Sequence, residues 1–466
     1  MRTDQPAGRP SPATAPVPLR EKILYGFGDV GSNFVWSFAS AFLVLYYTDS
    51  ALVAAGFVGS MMLLTRVFDA ATDLMMGLVI EKTRTRFGKA RPWLAFGSAP
   101  LVVALVATFN VPANLSETGK NVYVCATYFF MTAICYTAVN LSYHAMLARI
   151  TLSQHERAVI SAFRVVIALV AVLGLSFATP PLLEALGGSR DQAAWTGVSL
   201  LYAALGLTFL LACFFGTKEK VADLAAPGRP AGRTSIRPAL KFLLRSRYFY
   251  LAVFLNVVMT VFNGAIGGYV YFARDVLGDV DLFGLLSACT LLPIIVVAPL
   301  MPPVFKRVGK RRSIVAGLAV CVAAGAVQLA FPYSAAVAVV AMSLRSAGLG
   351  PLMTASATFP GDIVDYMQWR TGVRAEGIVA SIASFGAKLG TGLGSAMLGW
   401  FLAAGGYDGA AETQSQSAVN AEIAVVVAVP LAVCGLALLG MCFWDIDRFR
   451  PQIDRFLGQE RPAAAH

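Results

Sequence analysis

Residues 65–93 read TRVFDAATDLMMGLVIEKTRTRFGKARPW, and the contrast inside this stretch decides the fold. Its first half is apolar enough to enter a bilayer yet carries Arg66, Asp69 and Asp73; its second half is a short loop with Lys82, Arg84, Arg86, Lys89 and Arg91. An ionisable side chain near a bilayer centre costs roughly 2.5–3.5 kcal/mol on insertion scales, so each of these charges needs a partner, water or a function. Asp69 and Asp73 are four residues apart and share one helical face, with Arg66 three residues before the first. Short loops rich in Lys and Arg stay on the cytoplasmic side, which orients the helix.

Outward from this stretch the chain keeps the same character. Of its 466 residues 57% are hydrophobic and 14% charged, outside the balance of a soluble globular chain. Apolar runs long enough for a hydrocarbon core of roughly 30 Å fall near 24–48, 53–80, 93–111, 121–148, 157–185, 193–216, 248–273, 282–305, 312–332, 333–358, 376–404 and 417–444. The loop after the eighth run holds Lys306, Arg307, Lys310, Arg311 and Arg312, and the long loop after the sixth is also basic, whereas the odd-numbered loops hold chiefly Lys120, Arg190 and Arg274. This alternation puts the even loops and both termini in the cytoplasm. It also accounts for the net charge of +11 without a nucleic-acid partner.

RFGKAR at Arg86–Arg91 returns as RVGKRR at Arg307–Arg312, each after the second helix of a six-helix half. Duplication explains the echo. Two six-helix halves joined by a long basic loop predict an all-α integral membrane protein of twelve transmembrane helices with the major facilitator fold, whose halves rock around a site near the midplane. The expected division is a disordered cytoplasmic tail over 1–19, six-helix bundles over 20–217 and 248–445, a cytoplasmic basic loop over 218–247 and a second tail over 446–466. The first tail is rich in Pro and Ala and lacks the apolar core of a signal peptide. Seven cysteines stand singly in apolar runs, so neither a disulfide frame nor a metal site is expected. No nucleophile, metal-ligand or phosphate-loop signature rises above chance, which argues against an enzyme. A multi-pass protein of a bacterial-type plasma membrane is expected, with the lipid bilayer and a small solute as partners and no obligate protein partner or cofactor.

The charged and polar residues inside the runs are the place to look for the site. Two carboxylates with adjacent hydroxyls suit a hard monovalent cation or a shared proton, since like charges this close push one pKa up; the alternative is that Arg66 simply neutralises Asp69. Arg164, Arg345 and Lys388 add cations on the fifth, tenth and eleventh runs, while Asp29 lies near the start of the first, where burial is doubtful. A surplus of positive charge would favour an anionic solute. Asn33 lies in the first run, and Tyr136, Asn140 and His144 recur at four-residue spacing in the fourth, forming one stripe beside Thr137. Amides and aromatics together suit a sugar, whose hydroxyls need donors and acceptors and whose C–H face stacks on a ring. Interhelical hydrogen bonding is the plainer use of the same residues.

YGFGDVGSNF and LYYTD in the first run, RVFDAATD, RTRFGKARPW, CYTAVNLSYHAM, DIVDY and the Lys388 segment together resemble the glycoside-pentoside-hexuronide:cation symporters over nearly the whole chain. The resemblance implies sugar uptake driven by Na+ or H+. It implies that Asp69, Asp73 and Thr137 hold the cation, with Thr72 where some members have an asparagine, that Tyr136 and Arg164 line the sugar pocket, and that Lys388, with Arg66 nearby, serves coupling. Asn33, Asn140, His144 and Met353 stand where melibiose-carrying members have acidic or aromatic sugar ligands; the two asparagines look like glucuronide-carrying members. Arg345 has no counterpart: it pairs with a substrate carboxylate or snorkels. The implied function is cation-coupled symport of a hexuronide or glycoside, and the alternative is a same-fold carrier or exporter of a lipid-like or amphipathic solute.

Overall fold

The computed structural model describes residues 16–220, 245–356, 358–371 and 376–459. Most of the first tail, the bulk of the central basic loop and the last residues of the chain fall outside them. The described residues are helical over most of their length, with short π and 3-10 stretches, and form no strand apart from an isolated bridge between Thr85 and Gly88.

The helical segments are α1 (Leu19–Ser50), α2 (Ala55–Lys82), α3 (Arg91–Thr108), α4 (Glu117–Ile150), α5 (Gln154–Ala185) and α6 (Gln192–Gly216). After the central loop come α7 (Arg247–Gly264, carried on by short turns to Val276), α8 (Leu282–Val308), α9 (Lys310–Ala330), α10 (Ala335–Thr371), α11 (Glu376–Ala404) and α12 (Gln416–Cys442). Among the described residues nine of these are long and apolar enough to cross a membrane. Helix α2 has the length but carries Arg66, Asp69 and Asp73. Caps set several starts: Ser116 Oγ accepts from the Gly119 amide, Ser153 Oγ from that of Glu156 and Ser415 Oγ from that of Ala418, each satisfying an amide with no partner inside the helix. The tenth run extends beyond the expected 333–358 because a second helical piece, Phe359–Thr371, restarts with Pro360 in its first turn, where the missing amide proton costs nothing.

Two units divide the chain: one holds residues 1–53 and 68–227, the other 54–67 and 228–466. In the first, a buried aromatic core of Phe38, Phe42, Tyr46, Phe109, Trp195 and Tyr202 joins α1, α3 and α6, with Phe38 stacked on Phe109 at 4.4 Å. In the second, Tyr248, Phe359, Met441 and Trp444 are among the buried residues that join α7, α10 and α12. There the first part of α2 lies against α11 through small residues: a Cβ added to Gly399 would sit 2.8 Å from the Gly59 backbone, and Trp400 Nε1 donates to Ser60 Oγ at 2.9 Å. The sequence echo is also a conformational one. Gly88 and Gly309 occupy the same place in their repeats and both adopt positive φ, +108° and +94°.

Side chains such as Phe163, Val166, Val170 and Phe177 on α5 are more than a third exposed. An apolar face of that extent belongs against lipid.

Candidate functional site

In the first unit the second part of α2 faces α4. Thr137 Oγ1 donates to Asp69 Oδ1 at 2.9 Å and lies 3.3 Å from Asp73 Oδ1, so a hydroxyl and two carboxylates converge. Asp69 is 5% exposed. One hydroxyl has one proton and cannot donate fully to both acids; carboxylates gathered this closely favour a cation or a proton among their oxygens. Thr137 directly follows a π-helical stretch, Phe130–Tyr136, an irregularity that recurs at functional sites. Thr72 turns its hydroxyl back to the Asp69 carbonyl oxygen at 3.0 Å, so its side chain is not bonded to the two carboxylates.

Arg66 belongs with the second unit, where Gly392 of α11 leaves room for its stem: a Cβ there would meet Arg66 Cβ at 2.9 Å. Lys388, one turn earlier on α11, is half-buried.

The polar stripe of α4 runs beside α1. The two helices are fastened at one end by Tyr25 and Tyr143, whose rings stack at 4.6 Å and whose hydroxyls each donate to the other's carbonyl oxygen, at 3.1 and 3.0 Å. Gly28 permits this, since a Cβ there would fall 2.5 Å from the Tyr143 ring. Further along, Tyr136 stacks on Trp36 with centroids 4.8 Å apart. Between the two ring pairs lie Asn33 and Asn140. Asn33 Nδ2 donates to the Asp29 carbonyl at 2.8 Å and its Oδ1 accepts from Ser37 at 2.9 Å. At a rise of 1.5 Å per residue, the strip from Asp29 to Trp36, or from His144 to Tyr136, is about 10–12 Å long.

His144 does not stand alone at its end of the strip. Arg164 of α5 reaches His144 Nδ1 at 2.9 Å and Asp29 Oδ2 at 3.5 Å. A guanidinium only donates, so Nδ1 is the acceptor and the imidazole proton sits on Nε2. The doubt about Asp29 is resolved: its side chain is 19% exposed and paired with Arg164. Arg164 is thus no unmatched cation, which removes one support from the expected surplus of positive charge. Trp36 is a further member that the sequence reading did not single out; its spacing of three from Asn33 puts it on the same face.

In the second unit Arg345 is 3% exposed and donates to the Val426 carbonyl at 3.1 Å, within a π-helical stretch of α12, Ala424–Ala428. Such a stretch leaves carbonyls short of their ordinary helical donors. The guanidinium is enclosed in the unit and does not snorkel. Met353, on the same helix, is 47% exposed.

The chain is similar to known transporters along most of its length. The chain is 30% identical to the isoprimeverose transporter of Lactiplantibacillus pentosus over 456 residues, covering 95% of this chain and 94% of that protein. It is 31% identical to the glucuronide carrier protein homolog of Escherichia coli (strain K12) over 422 residues, 89% of each chain. A crystal structure of the nucleoside transporter NupG superimposes with a TM-score of 0.60 at 11% identity, over 92% of this chain and 99% of that one, a likeness of fold. Residues 24–448 match the family described as MFS/sugar transport protein, and the chain belongs to that family of multi-pass membrane transporters.

Proposed function

We propose that the protein is a secondary transporter that couples the entry of a monovalent cation to that of a sugar or glycoside by alternating access. The observation that carries this reading is the convergence of Thr137 Oγ1 with the Asp69 and Asp73 carboxylates, 2.9 and 3.3 Å away, at membrane depth on α2 and α4. Membership of the sugar transport family and the names of the isoprimeverose and glucuronide relatives support a sugar as the solute. The protein is a transporter and not an enzyme.

The cation bridges Asp69 and Asp73 and takes a lone pair of Thr137, fixing α2 against α4. The next residue back, Tyr136, stacks on Trp36 at the end of the polar strip. Ordering Thr137 therefore orders the ring beside it, and each ligand raises the affinity for the other by the same factor. Asn33, Asn140, His144 and Arg164 supply the hydrogen bonds of the strip, and Arg66 and Lys388 serve coupling from the α2–α11 packing. Both termini are cytoplasmic.

The test is uptake of a labelled glycoside into proteoliposomes under an imposed Na+ gradient, an H+ gradient or neither. One gradient should stimulate uptake severalfold, and Asp73→Asn should abolish the stimulation while the protein still elutes as a folded species. Full gradient stimulation in the variant would remove the cation site from α2.

A further inference from the structure

The ion pair at the end of the strip bears on which sugar fits. Arg164 lies in α5, Asp29 in α1 and His144 in α4, so one guanidinium ties three helices of the first unit. Asp29 and Arg164 side chains are 19% and 21% exposed, shielded enough for the pair to act as a unit and open enough for a solute to meet it. Asn33 is one turn from Asp29, and its amide donates to the Asp29 carbonyl at 2.8 Å, so the pair continues the surface built by the two asparagines. Arg345, a second cation that the sequence offered for a substrate carboxylate, is enclosed at 3% exposure with a backbone carbonyl as its partner.

We propose that Asp29 is a specificity residue of the sugar site: by pairing with Arg164 it makes that end of the strip electrically neutral and selects uncharged glycosides over hexuronides. This rests on the symport reading given above. A hexuronide carboxylate placed against Arg164 would have to share it with Asp29, and two carboxylates on one guanidinium repel in a poorly hydrated cavity. A neutral sugar instead finds the Asp29 and Asn140 oxygens as acceptors and the His144 Nε2 proton as a donor. Without Asp29, Arg164 is left with a neutral imidazole, and an anionic sugar becomes its natural partner.

The experiment measures inhibition of gradient-driven glycoside uptake in proteoliposomes by two matched pairs, phenyl β-glucoside with phenyl β-glucuronide and phenyl β-galactoside with phenyl β-galacturonide. The members of each pair differ at C6 alone, hydroxymethyl against carboxylate. The wild-type protein should prefer the neutral member of its better pair at least tenfold. Asp29→Asn should shift that ratio at least tenfold toward the acid, and Asp29→Glu should keep the wild-type ratio. A wild-type preference for the acid, or an unchanged ratio in a folded Asp29→Asn, overturns the proposal while leaving symport intact. Should Asp29→Asn fail to fold, the wild-type ratio decides alone. Absence of any gradient-driven sugar uptake by the wild-type protein would instead bring down the symport reading, and this proposal with it.

Discussion

Thr137 is the smallest group in the site and the one on which its geometry turns. Replacing it with valine keeps the shape and removes the oxygen, leaving two carboxylates with no hydroxyl between them. Thr137→Val should raise the cation concentration for half-maximal uptake about tenfold, or about 1.4 kcal/mol, and reduce the gain in sugar affinity that saturating cation brings. An unchanged cation requirement would take Thr137 out of the site. The carboxylates themselves were legible from their four-residue spacing in an apolar run, because burial of like charge is too costly to be incidental. Asp29 was not, since its depth depends on Arg164, far along the chain. Trp36 was hidden for the opposite reason: one more aromatic in an apolar helix looks like core. Glu422, in α12 and 1% exposed, is a buried acid that no spacing or motif signals.

At the scale of elements, the loop between α2 and α3 does more than mark a side of the membrane. Glu219, just beyond α6, accepts from the Lys89, Ala90 and Arg91 amides at 3.1, 2.9 and 3.0 Å, and lies 3.7 Å from Arg149. A carboxylate on the free amides at the start of α3 is where the helix dipole favours it. Gly88 makes the approach possible, with φ at +108° and no Cβ to meet the Glu219 carboxylate. Gly88→Ala should therefore lower stability by more than the roughly 1–2 kcal/mol of left-handed backbone alone, seen as a fall in melting temperature in detergent. In a Glu219→Ala background the same substitution should cost less, as only the backbone penalty remains; an equal cost in both would deny the steric link. The sequence disclosed the repeated Gly-Lys loop through its charge, but its acidic partner comes from a segment that composition marks only as the start of a linker. In the other repeat Lys310 pairs with Asp362, within the second unit.

For the molecule as a whole, the alternation of basic loops is a statement about sidedness that the bilayer must honour. In a cysteine-free background, Arg190→Cys, between α5 and α6, should react with an impermeant maleimide from outside intact cells, and Arg84→Cys, between α2 and α3, only after permeabilisation. The reverse pattern would invert the topology. The multi-pass helical character was readable because lipid asks the same apolar length of every span; pairings between distant helices were not, because no local rule fixes which faces meet. The π-helical stretches belong to this second kind. Among the described residues they are Tyr46–Ser50, Phe130–Tyr136, Phe272–Val276 and Ala424–Ala428, and the first and third close the leading helix of each repeat. A π-turn stores one residue more than a regular helix needs for the same span. Ahead of Thr137, that spare residue gives α4 slack: the helix can wind or unwind locally and turn its lower half without dragging its upper half along. The point proposed to hold the cation is thus also the point at which the rod is easiest to twist.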